Sequence, residues 1–191
     1  MVSTQLPTSA VMPARHSKAP QPGEKIPSHF GHCFGCGDLH PSGLHFVSYA
    51  GSGMNLTGQF VVTEKHQGAP GLAHGGLLAL ALDEALGKLM WLLRAPGVTA
   101  RLETDFLKPV PMGTTLYISA EILGQDGRKV YARAEGRLGS PEGPLALAGT
   151  SLYVIVTMEH FIKNAPEGYF EHLQQHKDLI AFVDPDFGIN P

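Results

Sequence analysis

The segment Gly71-Leu72-Ala73-His74-Gly75-Gly76-Leu77 opens a long apolar run that carries two adjacent acids, Asp83 and Glu84. Lys88 stands four residues beyond Glu84, in the favourable acid-before-base order, so an ion pair along the helix accounts for Glu84. Asp83 has no such partner in the sequence. The residues on its helical stripe, Gly76, Ala79 and Gly87, are all small. That leaves room beside the carboxylate for another backbone or a ligand. A buried acid without a partner is costly, so Asp83 is read as a general base or nucleophile tuned by partial burial. Bonding to nearby backbone or to a facing strand is the structural alternative.

His74-Gly75-Gly76 falls where the helix must begin. Glycines there permit close approach, and exposed N–H groups at the positive helix end suit a developing oxyanion. The same three residues also suit a tight turn capped by His74, and spacing alone does not choose. At about 1.5 Å per residue, Asp83 lies roughly 10–13 Å along the axis from this first turn. One helix cannot bring both groups to one carbon, whereas two antiparallel copies can. A site shared across a dimer is expected.

The surrounding pattern supplies the elements. Leu44 and Phe46, then Met54, Leu56, Phe60 and Val62, read as two strands separated by Ala50-Gly51-Ser52-Gly53. A loop rich in Gly and Pro follows, then one helix from about Gly75 to Leu93, stopped by Ala95-Pro96-Gly97. Further strands are expected over Val98 to Leu107, around Leu116 to Ile122, around Val130 to Ala134, and over Leu145 to Val156. In the first of these, straight alternation puts Thr99 on the face of Arg101, Glu103 and Asp105. Short links favour antiparallel neighbours. The helix is apolar nearly all round, so an α+β fold is predicted, with an antiparallel sheet wrapped around one long central helix. Residues 1–30, with Pro7, Pro13, Pro20, Pro22 and Pro27, read as a flexible arm, residues 31–158 as the domain, and residues 159–191 as an extension with a short helix over Glu167 to His176.

With 191 residues, 43 % apolar and 16 % charged, the chain holds one packed domain. A net charge of −3 argues against nucleic-acid binding. Leu77 to Leu93 is broken by Asp83, Glu84 and Lys88, so no membrane span is expected. Two cysteines and no signal-peptide pattern point to the cytoplasm.

The run His66-Gln67-Gly68-Ala69-Pro70-Gly71-Leu72-Ala73-His74-Gly75-Gly76, with Asp83 nine residues after His74, resembles the hot-dog-fold acyl-CoA thioesterases of the HQGxPGxxHGG branch. Thr99-Ala100-Arg101-Leu102, continuing to Phe106-Leu107-Lys108-Pro109-Val110-Pro111, is similar to that branch's strand after the helix, and the likeness spans roughly residues 33–157. The resemblance implies a hot-dog fold working as a homodimer or dimer of dimers. It matches Asp83 to the acid that activates water or attacks the thioester, and His74 and Gly75 to the loop that polarises the carbonyl, with Gly76 alongside. Thr99 matches a hydroxyl that holds water or substrate, or is an ordinary strand threonine. Gly68 stands where the phenylacetate-pathway relatives carry asparagine, and is placed with the substrate-binding positions. Arg101 and Lys108 are candidates for the CoA phosphates, although strand-face charges are more often merely solvated.

His29, His32, Cys33, Cys36, His40 and His45 crowd together, with Cys33 and Cys36 in CxxC spacing. Four of them have the chemistry to enclose zinc, but no second CxxC or HxxxH pair follows, so no metal site is assigned and a structural lead-in to the first strand is expected. Hydrolysis of an acyl-CoA substrate, without metal or redox cofactor, is the leading reading. A noncatalytic acyl-CoA or acyl-chain binding protein on the same fold is the alternative, and a hot-dog hydratase the third, lacking its usual Asp-to-His spacing.

Overall fold

A computed structural model describes residues 2–175. Seven strands form one antiparallel sheet: β1 (Lys25–Ile26), β2 (Val47–Ala50), β3 (Asn55–Val61), β4 (Gly97–Phe106), β5 (Thr115–Asp126), β6 (Lys129–Leu138) and β7 (Leu145–Ile155), in the order β1-β2-β3-β5-β6-β7-β4. The helix α1 (Gly75–Lys88) lies in the sheet's concave face. Leu78, Ala81, Leu82, Ala85 and Leu86 are buried against Phe60, Leu116, Ile118, Ala132 and Leu147. This is the hot-dog arrangement. Wrapping by the sheet takes a helix that is apolar on nearly every side out of water.

The expected single helix to Leu93 is interrupted at Leu89, and a short α2 (Met90–Leu93) completes it. Arg94, with φ 53, ends the run in the left-handed region ahead of Pro96. Leu44 and Phe46 are buried but precede β2 rather than forming it. After the sheet come α3 (Met158–Asn164), which the sequence reading missed, and α4 (Tyr169–Gln175), inside the expected 167–176. The Asp184-Pro185-Asp186 end lies outside the described residues.

The segment read as a flexible arm packs on the sheet instead. Val11 bridges Gln125, Thr4 Oγ1 accepts from Thr150 Oγ1 at 3.1 Å, and Ser9 Oγ donates to Asp126 at 3.1 Å. A Cβ at Gly124 would stand 2.9 Å from Leu6 and 3.2 Å from Ala10, so this glycine lets the segment close onto β5. Further on, the Arg15 guanidinium ties it to the Gly51 and Gly53 carbonyls at 2.7 and 2.9 Å, and Lys25–Ile26 adds a strand to the sheet edge. Few large side chains are needed because the partner is backbone. The cover helps explain why Tyr131 and Leu152, outside the helix-facing core, are nevertheless buried.

β4 ends the sheet opposite β1 and carries a bulge: Thr99 pairs with Tyr153, and Arg101 with Leu152. Ala100 is the extra residue. Alternation counted straight through it assigns Thr99 to the wrong face. Past the bulge, Arg101, Glu103 and Asp105 point away from the helix, and Thr99 shares the helix side with Tyr153.

Candidate active site

Asp83 is half-buried on α1, and the bulged edge of β4 delivers a partner to it. Thr99 Oγ1 donates to Asp83 Oδ1 at 2.9 Å. From β7, the Tyr153 hydroxyl lies 2.8 Å from the same oxygen and 2.8 Å from the Asp83 carbonyl. The acid that had no partner within its helix has two across the sheet. Tyr153 is 3 % exposed. Burial, then the Asp83 charge, pushes its phenol well above the usual tyrosine range, so it stays a neutral donor. The sequence reading absorbed Tyr153 into an apolar strand. The available signal was a hydroxyl in a run destined for burial, which must find an acceptor.

Asp83, Thr99 and Tyr153 open on a cavity of about 310 Å³, also lined by Gly87, Gly97 and Phe161. Gly87 is part of the small stripe expected to leave space: a Cβ there would stand 3.3 Å from the Tyr153 hydroxyl.

At the other end of α1, His74 is the N-cap and Gly75 the first helical residue. The Gly76 N–H donates to His74 Nδ1 at 2.9 Å, which places the imidazole proton on Nε2. Gly76 is therefore engaged in capping, and the exposed turn offers the Gly75 N–H and His74 Nε2–H instead. The turn is pinned from behind. Ala73 donates to the Val110 carbonyl at 2.9 Å, and His74 to the His66 carbonyl at 2.8 Å. His66 is buried; its Nδ1 accepts from the Thr63 N–H at 3.0 Å, and its Nε2 faces the Gly43 carbonyl at 3.2 Å. Gly68 belongs to this support, because a Cβ there would stand 2.7 Å from His74 Cα.

Asp83 and Gly75 are eight residues apart on one helix, about 12 Å along its axis. Within one chain they stay apart. Arg101 is held outside by Glu103, at 2.6 Å, and by the Val2 carbonyl, at 3.0 Å. Lys108 is exposed just beyond β4. Neither joins the Asp83 cavity.

Glu84 has a fuller environment than its ion pair. Lys88 Nζ is 3.8 Å from Glu84 Oε1 but spends its short bond, 2.6 Å, on the Pro27 carbonyl. Burial, then the Cys36 thiol, pushes Glu84 up to about 7. Its neighbours His29, Cys33 and Cys36 have side chains that could ligate a metal.

A family model described as "Thioesterase superfamily" matches residues 70–144, from the loop before His74 through β6 into the turn after it. Over those residues the sequence is similar to that superfamily. A solved protein described as a thioesterase superfamily protein superposes with a TM-score of 0.51 at 30 % identity, covering 57 % of this chain and 55 % of its own. A Streptococcus pneumoniae thioesterase solved with coenzyme A shares the fold, with a TM-score of 0.51 at 22 % identity over 53 % of this chain and 81 % of its own. The acyl-coenzyme A thioesterase THEM4 of Xenopus laevis is 30 % identical over 88 residues, 46 % of this chain and 39 % of that protein. The chain thus spans well under half the length of that curated relative.

Proposed function

We propose that the chain hydrolyses the thioester of an acyl-CoA, with Asp83 as general base or nucleophile. The observation that carries this is the half-buried Asp83 carboxylate, fixed by Thr99 and Tyr153 at a cavity. Oδ1 takes both bonds, so Oδ2 is the oxygen for a water proton or for the thioester carbon. In the base route, Asp83 takes a proton from water as the hydroxide adds to the carbonyl. The tetrahedral intermediate then collapses and expels the CoA thiolate, which takes the proton back from Asp83. The name of the THEM4 relative supports the acyl-CoA class.

Carbonyl polarisation falls to the Gly75 N–H and His74 Nε2–H of a second copy, because one chain's own turn is too far away. Two features support a second copy at this edge. Among the described residues β4 has no strand on its outer side, and Phe106 and Leu107 are 54 % and 52 % exposed beside Gly75.

A panel of acyl-CoAs monitored for released thiol tests the proposal. Turnover in the natural chain, lost in Asp83→Asn with ligand binding kept, is the expected outcome. Binding without turnover in either protein would select a carrier, and hydration of an enoyl-CoA without thiol release a hydratase.

A further inference from the structure

We propose that His29, Cys33, Cys36 and Glu84 form a tetrahedral zinc site that fastens the chain ahead of the sheet to α1. One ligand atom from each lies within 4.8 Å of all the others. The cross-pairs are closer: Cys33 Sγ to Glu84 Oε2 is 3.6 Å and Cys36 Sγ to His29 Nδ1 is 3.6 Å. Zinc bonds of about 2.3 Å to sulfur and about 2.0–2.1 Å to nitrogen or oxygen, at tetrahedral angles, separate such donors by about 3.6 Å. Those two pairs already stand at the separation a shared zinc would impose.

The second observation is Glu84 itself. Among the described residues its Oε1 is buried without a hydrogen-bond partner, an expensive state for a carboxylate. The nearby cation Lys88 is engaged by the Pro27 carbonyl at 2.6 Å. The loop is also shaped around this acid. A Cβ at Gly35, between the two cysteines, would collide with Glu84 Oε2. The Gly37 N–H closes the CxxC turn onto the Cys33 carbonyl at 2.9 Å, and a Cβ at Gly37 would strike the Gly31 carbonyl.

Charge balances as well. Zinc, two thiolates, the Glu84 carboxylate and the Lys88 ammonium sum to zero, which suits a nearly buried cluster. The fourth ligand was missed in the sequence because it comes from α1, 48 positions beyond Cys36, where a helix ion pair already accounted for it. Four protein donors close the coordination sphere, so the metal is structural and carries no hydrolytic step. It holds the CxxC loop against the residue next to Asp83.

The test uses the full reduced chain. Metal content is measured after dialysis, and the metal-free chain is titrated with cobalt(II) and then with zinc. One equivalent of zinc per chain, thiolate-to-cobalt absorption with tetrahedral bands, and a zinc-dependent rise in Tm are expected. Glu84→Gln and Cys36→Ser should weaken cobalt binding by about 100-fold or more and abolish the rise in Tm, with circular dichroism reporting the fold. The wild-type titration stands even if a variant fails to fold. A wild-type chain that gives no thiolate-to-cobalt band would overturn the site. So would thiols that react with a labelling reagent equally fast with and without zinc.

Discussion

Gly75→Pro removes one hydrogen-bond donor and almost nothing else. His74 is the N-cap, so Gly75 is the first helical position, where proline is well tolerated because its N–H has no partner within the helix. His74 sits at φ −70 and ψ 130, already in the region that a following proline demands. Among the described residues a Cβ at Gly75 would meet only the Phe106 ring, at 3.8 Å, which is ordinary contact. Stability should therefore change little. If the Gly75 N–H holds the developing oxyanion, its loss costs about 2.7–4 kcal/mol, or about 10²–10³ in kcat. KM should move far less, because the donor acts mainly in the transition state. The assay is thiol release from the preferred acyl-CoA, with Tm and oligomeric state measured alongside. An unchanged kcat in a folded variant would refute the oxyanion role.

Other expectations follow from single contacts. Tyr153→Phe removes a donor to an ionised carboxylate, worth about 1.5–3 kcal/mol, so kcat/KM should fall about 10- to 100-fold. Because the folded phenol titrates above the unfolded one, its stabilisation is complete below about pH 10 and is lost as pH rises further. Alkaline unfolding should be shallower in Tyr153→Phe. Gly68→Ala forces a Cβ to within 2.7 Å of His74 Cα and should cost about 1–3 kcal/mol in denaturant melts while lowering kcat through the displaced turn. An unchanged melt would contradict the support role.

The wrapped helix was legible because its apolar residues leave no face for water, and the strands because they alternate or are bounded by turns. Asp83 stood out for want of a partner within its own helix. What stayed hidden depended on contacts between distant elements. Thr99 changes face through one extra residue at Ala100, and strict alternation cannot show a bulge. Tyr153 was concealed by its apolar neighbours. The arm looked disordered because it has little to bury, yet it docks through backbone and small side chains onto Gly124 and Gln125. Glu84 had a sufficient local explanation in Lys88, which masked its second environment.

Mixing Asp83→Asn with Gly75→Pro tests the shared site most directly. Each homodimer lacks one half of both sites, whereas a heterodimer regains one intact site, with Asp83 from one chain and Gly75 from the other. Random exchange of equal amounts should restore about a quarter of wild-type activity. A mixture no more active than its parents, despite demonstrated exchange of subunits, would place the acid and the glycine turn in separate chemistry.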